Sequence, residues 1–255
     1  MRLSGNTVLI TGGSSGIGYA MAEAFLRAGS TVVVCARGER RLNEAQTRHP
    51  NLHTRVCDLA DNRSRQALAT FMAERFPQLN ILINNAGVQR DIDLTHGAEE
   101  LLVGDNEICI NLEAPIVLSA LLIPVLARNS PSALINVSSG LAFTPMANMP
   151  VYCASKAGMH VFSVVMRAQV RRLGMQVFEI IPPMVDTALN PKGRAERGGF
   201  KAGLSPQQFV TEVIKGLEND VPEIGYGMTA GYAKADSAEL NRRLVEMNPT
   251  FGQAR

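Results

Sequence analysis

Two rhythms of apolar and polar positions trade places along this chain almost from end to end. Short, mostly apolar runs stand at 7–11, 31–35, 53–57, 79–83, 133–137 and 177–181, with a last brief one at 223–226. Between them lie longer stretches in which apolar residues recur every three or four positions, at 17–28, 39–48, 62–76, 106–127 and 151–173. The first rhythm predicts strands buried on both faces and the second predicts helices with one face on a core. Gly29 and Pro77 end the first and third helices, and Ser205-Pro206 opens another as N-cap and first turn. A polar helix over 237–247 closes the pattern.

Strands that alternate with helices in this way build a parallel sheet covered on both faces. No repeat, low-complexity tract or composition break divides the chain. Residues 1–255 therefore read as a single doubly wound α/β domain of Rossmann type, with a mostly or wholly parallel seven-stranded sheet flanked by helices. Two stretches interrupt the rhythm: a connection at 88–105, and a Pro- and Gly-rich segment at 182–203 that is long enough to be a functional loop. We assign 183–204 as a substrate loop and 236–255 as a C-terminal helix and tail.

Composition works by exclusion. The chain is 46% hydrophobic and 19% charged with a formal net charge of +2, which gives no electrostatic footprint for nucleic acid or a membrane surface. No run of about eighteen apolar residues marks a membrane span. The opening residues lack the apolar core of a signal peptide, so a cytoplasmic location is expected. Cys35, Cys57, Cys109 and Cys153 form no C-x-x-C pair, and His49, His53, His96 and His160 are isolated. No metal site is expected. Cys35 and Cys57 close strand-like runs and read as small buried thiols.

Chemistry first shows in the turn Thr11-Gly12-Gly13-Ser14-Ser15-Gly16-Ile17-Gly18, between the first strand and the first helix. Its glycines let backbone approach a ligand closely, and a helix N-terminus offers free N–H groups to phosphate. A nucleoside-triphosphate loop would need Lys directly after Gly18, where Tyr19 stands. A hydrolase elbow, G-x-S-x-G with Ser14 as nucleophile, matches the spacing, but only a few residues precede it, and an oxyanion hole needs an earlier loop. A dinucleotide pyrophosphate turn is the third reading, although the strict G-x-G-x-x-G is absent.

A second constellation lies downstream. Tyr152 and Lys156 are four residues apart on a predicted helix, so both side chains leave one face. An ammonium beside a phenol favours the phenolate and lowers its ordinary pKa of about 10. Ser139 ends the fifth strand, thirteen residues before Tyr152.

Taken in order, T-G-x-x-x-G-x-G at 11–18, Asp58-Leu59, Asn84-Asn85-Ala86-Gly87, Asn111, Ser139 and Tyr152-x-x-x-Lys156 resemble the short-chain dehydrogenase/reductase family. The double proline Pro182-Pro183, Tyr152-Cys153 and 223–227 are similar to its bacterial DltE-like branch. The resemblance implies a carbonyl–alcohol oxidoreductase using a nicotinamide dinucleotide. Gly12, Ser14, Ser15, Gly16, Ile17 and Gly18 would hold the pyrophosphate, Asp58 and Leu59 the adenine, and Asn85, Ala86 and Gly87 the cofactor's middle. Pro182, Val185 and Thr187 would meet the carboxamide. Pro183 departs from the family's usual Gly and stiffens the start of the substrate loop.

Hydride chemistry is the cofactor's, and the protein must place a carbonyl over the nicotinamide and manage one proton. Ser139 would donate a hydrogen bond to the substrate oxygen, and Tyr152 would be its acid and base. Lys156 would tune Tyr152 and, by resemblance, bind the nicotinamide ribose. Asn111 would hold a relay water. The second strand ends Cys35-Ala36-Arg37 with no carboxylate to accept the ribose hydroxyls, and a guanidinium suits a 2′-phosphate. NADP(H) is therefore expected over NAD(H).

Leu141, Phe143, Met146, Met149, Met184 and Leu189 suggest an apolar pocket for a small-molecule carbonyl or alcohol. By resemblance, the 106–127 and 151–173 helices would pair across two-fold axes in a homodimer or homotetramer. The alternatives are a dinucleotide-binding regulatory protein without catalysis, and the Ser14 hydrolase. A pure binder needs no tyrosine acid, which argues against the first.

Overall fold

The structure is a computed structural model that describes residues 1–196 and 203–248. Seven strands form one sheet in the order β3-β2-β1-β4-β5-β6-β7. They are β1 Thr7–Thr11, β2 Thr31–Ala36, β3 His53–Val56, β4 Ile81–Asn84, β5 Ser132–Val137, β6 Met175–Ile181 and β7 Glu223–Gly225. Every pairing is parallel. The helices are α1 Gly16–Arg27, α2 Glu39–Arg48, α3 Asn62–Arg75, α4 Glu99–Leu102, α5 Ala114–Leu126, α6 Pro150–Val170, α7 Pro191–Glu196, α8 Pro206–Glu218 and α9 Ser237–Met247.

Strand residues divide between two cores by their period of two. Val8, Ile10, Val32, Val34, Ile81 and Ile83 pack with Phe25 of α1, Leu42 of α2 and Phe209 of α8. Leu9, Val33, Leu82, Leu134 and Val177 face the other way, onto Leu68 of α3, Leu118 of α5 and Met166 of α6. Both layers form because each strand carries apolar residues on both sides. β3 is the exception, with only Thr54 partly covered and its neighbours exposed. As an edge strand it has less to bury. The order reverses between β1 and β4, and the carboxyl ends of strands at such a switch point open a crevice.

Several boundaries differ from the sequence pattern. The fourth strand begins at Ile81; just before it, Asn80 pairs its backbone with Thr7 and Ala133 and adds side-chain bonds to the Thr7 N–H (3.0 Å) and the Pro131 carbonyl (2.9 Å). The predicted 106–127 helix starts with a widened π turn, Cys109–Glu113, before α5. Pro115, which has no N–H to donate, stands just after this widened turn. The window Cys109–Leu126 averages a mean hydropathy of 2.0 over 18 residues, so a stretch of membrane-span composition exists where none was expected. Half of it is buried against the sheet and neighbouring helices, as in a core helix. Part of the 183–204 loop folds as α7, and Val185 bridges to Leu204 in parallel. Residues 197–202 of that loop, and 249–255 of the expected tail, lie outside the described residues.

Two buried polar links fix α6 on the sheet. Asn84 donates to Ser119 of α5 (3.1 Å) and to Asn136 of β5 (2.9 Å), and Asn136 donates to Ser163 of α6 (3.0 Å). Fully buried Glu179 of β6 accepts from Ser138 Oγ at 2.5 Å and lies 2.8 Å from His160 Nδ1 of α6. Glu179 registers with Glu223 on β7, whose carboxylate Arg167 holds at 2.6 Å, so α6 sets one basic side chain over each glutamate.

Glu179 beside His160 raises the imidazole above its ordinary 6.5, with Glu223 adding to the rise and burial and Arg167 opposing it. A raised folded-state value stabilises below the unfolded pKa, and that contribution is lost as pH rises through the folded one. The urea midpoint should therefore decline above pH 6.5, and His160→Gln should flatten the decline. Parallel wild-type and variant profiles between pH 5.5 and 8 would disprove the link.

Candidate active site

The glycine turn leaves β1 with Gly12 at φ 66° and enters α1 with Gly16 at φ 57°, both in the left-handed region. A Cβ on Gly12 would lie 2.8 Å from Ala86 Cα, and one on Gly18 would lie 2.4 Å from Asn85 Nδ2. Thr11 and Asn85 make this close approach permanent. Thr11 Oγ1 accepts the Asn85 and Ala86 N–H groups at 3.0 Å each, and Asn85 Nδ2 donates back to the Thr11 carbonyl at 2.9 Å. Ser15 stands at the N-cap without capping α1 through its side chain, which leaves first-turn N–H groups for an anion.

Across the crevice, α6 delivers Tyr152 and Lys156, both buried. The Lys156 ammonium donates to the Val137 carbonyl at 2.9 Å and lies 5.8 Å from the centre of the Tyr152 ring. Burial lowers its pKa to about 8. Gly87 lies beside both Lys156 and Asn111: a Cβ there would stand 3.6 Å from Nζ, an ordinary contact, and 3.3 Å from Asn111 Oδ1. Ser139 Oγ accepts the Leu141 N–H at 3.1 Å, and among the described residues no acceptor is seen for its own proton. Its neighbour Ser138 is committed to Glu179, so the two serines have separate duties.

Asn111 stands in the widened turn. Its amide clasps Val88 through both backbone groups at 2.8 Å and donates to Ser155 Oγ at 3.1 Å, and Ser155 donates to the Tyr152 carbonyl at 2.7 Å. Ser155 carries no motif that would single it out in sequence. It ties Asn111 to the turn of α6 that carries the tyrosine.

A crevice of about 920 Å³ joins these groups to the remaining candidates. Gly12, Ser14, Ser15, Gly16, Ile17, Arg37, Asp58, Leu59, Asn85, Ala86, Gly87, Ser139, Tyr152, Lys156, Pro182, Val185 and Thr187 all line it. Gly18 and Asn111 stand behind its wall. Thr187 crosses over the glycine turn: a Gly16 Cβ would meet its methyl at 3.0 Å. Arg37 is not a free phosphate ligand, because Asp105 grips it with both oxygens at 2.6 and 2.9 Å.

The far end of the crevice is apolar, lined by Leu141, Met146, Met149, Met184 and Leu189 as expected, and also by Met228, Tyr232 and Met247. Phe143 is a correction. It packs edge-on against His160 at 4.6 Å and beside Tyr232 at 6.0 Å, outside the lining. Met228, Tyr232 and Met247 lie far along the chain in segments with no motif, so only the fold could bring them here. Among the described residues, no histidine lines the crevice beside Ser14 to serve as its base, and no cluster of three or more metal-ligating side chains is present.

Glycine positions that side chains would fill, an uncapped helix N-terminus and arginines at one end suit a nicotinamide dinucleotide. The short chain dehydrogenase family model matches residues 6–198. The chain belongs to the short-chain dehydrogenase family. It is similar to the uncharacterized oxidoreductase DltE of Bacillus subtilis, at 44% identity over 97% of this chain and 98% of that one. A short-chain dehydrogenase from Sphingobium yanoikuyae in complex with NADPH superposes with a TM-score of 0.80 at 25% identity, covering 98% of each chain. Another from Burkholderia cenocepacia, in complex with NADP, gives 0.81 at 25% identity over 96% of this chain and 99% of that one. This short-chain dehydrogenase is thus an oxidoreductase of a family that uses NAD(P).

Holding Lys156 charged in the core is costly. The fall from 10.5 to about 8 corresponds to roughly 3 kcal/mol. For a depressed amine the penalty is full below the folded value and is relieved as pH climbs towards 10.5. Wild-type stability should therefore gain between pH 8 and 10. Lys156→Met should be about 1–2 kcal/mol more stable at pH 7 and lack that gain. A destabilised variant in urea titrations at pH 7 would contradict this account.

Proposed function

We propose that this protein is an NADP(H)-dependent oxidoreductase that interconverts a carbonyl and a secondary alcohol, with Tyr152 as the acid and base. One observation carries the reading. A buried tyrosine with an ammonium 5.8 Å from its ring centre shares a crevice with a serine hydroxyl and an anion-ready glycine turn. A purely structural tyrosine needs neither the costly lysine nor the open wall.

A bound nicotinamide would supply or accept the hydride. The chain's own residues handle the rest. Ser139 donates its free proton to the substrate oxygen and fixes the carbonyl's direction. Tyr152 transfers a proton to that oxygen in reduction and takes it back in oxidation. Lys156 holds positive charge beside the phenol and favours its ionised form. Asn111 and Ser155 keep α6 in register with the strand ends, and a relay water belongs beside them.

Arg37 and Arg41 at the crevice's adenosine end support NADP(H) over NAD(H), since β2 offers no carboxylate to ribose hydroxyls. The NADPH and NADP complexes of the Sphingobium and Burkholderia proteins agree with that preference. At the other end, methionines and Tyr232 line the wall and favour a carbonyl compound with an apolar body. Exposed Ile116 and Leu121 on α5, and Val161, Val164 and Val165 on α6, support pairing of these helices in a homodimer or homotetramer.

Thermal melting with NADP⁺, NAD⁺ and no ligand tests the cofactor. At a hundredfold excess over Kd, binding should add about 2.7 kcal/mol of stability. No shift with either dinucleotide would defeat the proposal. With cofactor bound, Tyr152→Phe should lower carbonyl reduction by about 10²–10⁴-fold while leaving cofactor Kd near wild type. Retained turnover in that variant would remove Tyr152 from the chemistry.

A further inference from the structure

The guanidinium that should greet a cofactor phosphate already has an anion. Arg37 Nη1 and Nη2 donate to the two oxygens of Asp105 at 2.6 and 2.9 Å, and both residues line the crevice. The pair joins the end of β2 to the segment before α5, 68 positions apart in sequence. The bridge holds the Asp105 carboxyl below its ordinary range and Arg37 above its own.

Asp105 is presented by a braced loop. Arg90 Nη1 donates to the Glu100 and Val103 carbonyls at 2.9 and 2.6 Å, and Arg90 N–H donates to Oε1 of fully buried Glu107 at 3.0 Å. Between these anchors Gly104 takes φ 77°, a turn that delivers the next residue towards Arg37. A Cβ on Gly104 would lie 3.3 Å from Arg90 Nη1, so the bend and its brace are fitted to each other. The carboxylate is thus held in place from both sides of its loop.

We propose that Asp105 is an internal counter-anion that competes with the cofactor's 2′-phosphate for Arg37, and so sets the margin by which this protein prefers NADP(H) to NAD(H). The inference rests on the dinucleotide reading above. Carboxylate and phosphate ask for the same two N–H donors of one fork. A 2′-phosphate must displace Asp105 to gain both, whereas a cofactor with a plain 2′-hydroxyl need not disturb the pair. Arg41 lines the same end and is exposed, which gives an arriving phosphate a first cation while Arg37 changes partner. With Asp58 and Arg90 also lining the crevice, two aspartates already stand among its arginines before any cofactor arrives.

Calorimetric titration of full-length protein with NADP⁺, NAD⁺ and adenosine 2′,5′-bisphosphate tests this. Asp105→Asn should bind NADP⁺ and the bisphosphate about three- to fivefold more tightly, the range of an exposed ion pair. NAD⁺ affinity should not change. Asp105→Ser should behave alike, Asp105→Glu should stay near wild type, and the gain should vanish in an Arg37→Ala background. Unchanged or weaker NADP⁺ binding in the folded Asn and Ser variants, or an equal change for NAD⁺, would overturn the inference while leaving the dehydrogenase reading intact. A wild-type protein that binds neither dinucleotide would remove both.

Discussion

A buried ammonium is the constraint on which the site depends. Lys156 is 4% exposed, and its charge is met by one strand-end carbonyl, that of Val137, at 2.9 Å. A cation in such a place pulls the surrounding design after it. β5 must end where its carbonyl can reach, and α6 must not slide. The ladder Ser119–Asn84–Asn136–Ser163 meets the last demand by running unbroken from α5 through two strands into α6. These hydrogen bonds are buried, where one lost partner costs about 1–3 kcal/mol, so register errors of α6 are penalised well beyond thermal energy.

The division of labour between Ser138 and Ser139 follows from the same geometry. Successive strand residues point to opposite faces, so one serine turns into the sheet's covering layer and the other towards the crevice. Ser138 donates to Glu179, and His160 lies against its other oxygen. Ser139 caps the short turn Gly140–Ala142 and keeps its proton available. One residue secures the strand end and its neighbour faces the substrate. Glu179 occupies the Ser138 hydroxyl, which leaves Ser139 for the role.

What was legible in the sequence is what depends on local pattern. Parity along each strand gave the two cores, and the glycine turn and the Tyr152–Lys156 spacing gave the crevice's two walls. What escaped depends on pairs remote in sequence. Asp105 sits in a connection without periodicity, and nothing before folding sets it beside Arg37. Ser155 is silent in sequence because a small polar residue inside an amphipathic helix has no distinctive signature. Arg65, 1% exposed and donating to the Leu59 carbonyl at 2.9 Å, sat in a polar stretch that reads as a solvated face. Phe143 missed the pocket because a loop's apolar residues give no sign of which will turn inward, and the His160 ring drew it away.

The two ends of the crevice ask opposite things of a ligand. Around Arg37, Arg41, Asp58 and Asp105 the wall carries both signs of charge, so discrimination there comes from exchanging one ion partner for another. Around Met146, Met149, Met228 and Tyr232 there is no charge to exchange, and discrimination falls to shape and apolar area. Methionine side chains adapt to a ligand's outline at low cost, which broadens the range of bodies the wall can accept. The reacting carbonyl, by contrast, meets Ser139 and Tyr152 on strand and helix ends that the buried ladder holds rigid. Tolerance in the substrate's body is thus compatible with strictness at its oxygen, because the two are built on parts of the fold with different freedom to move.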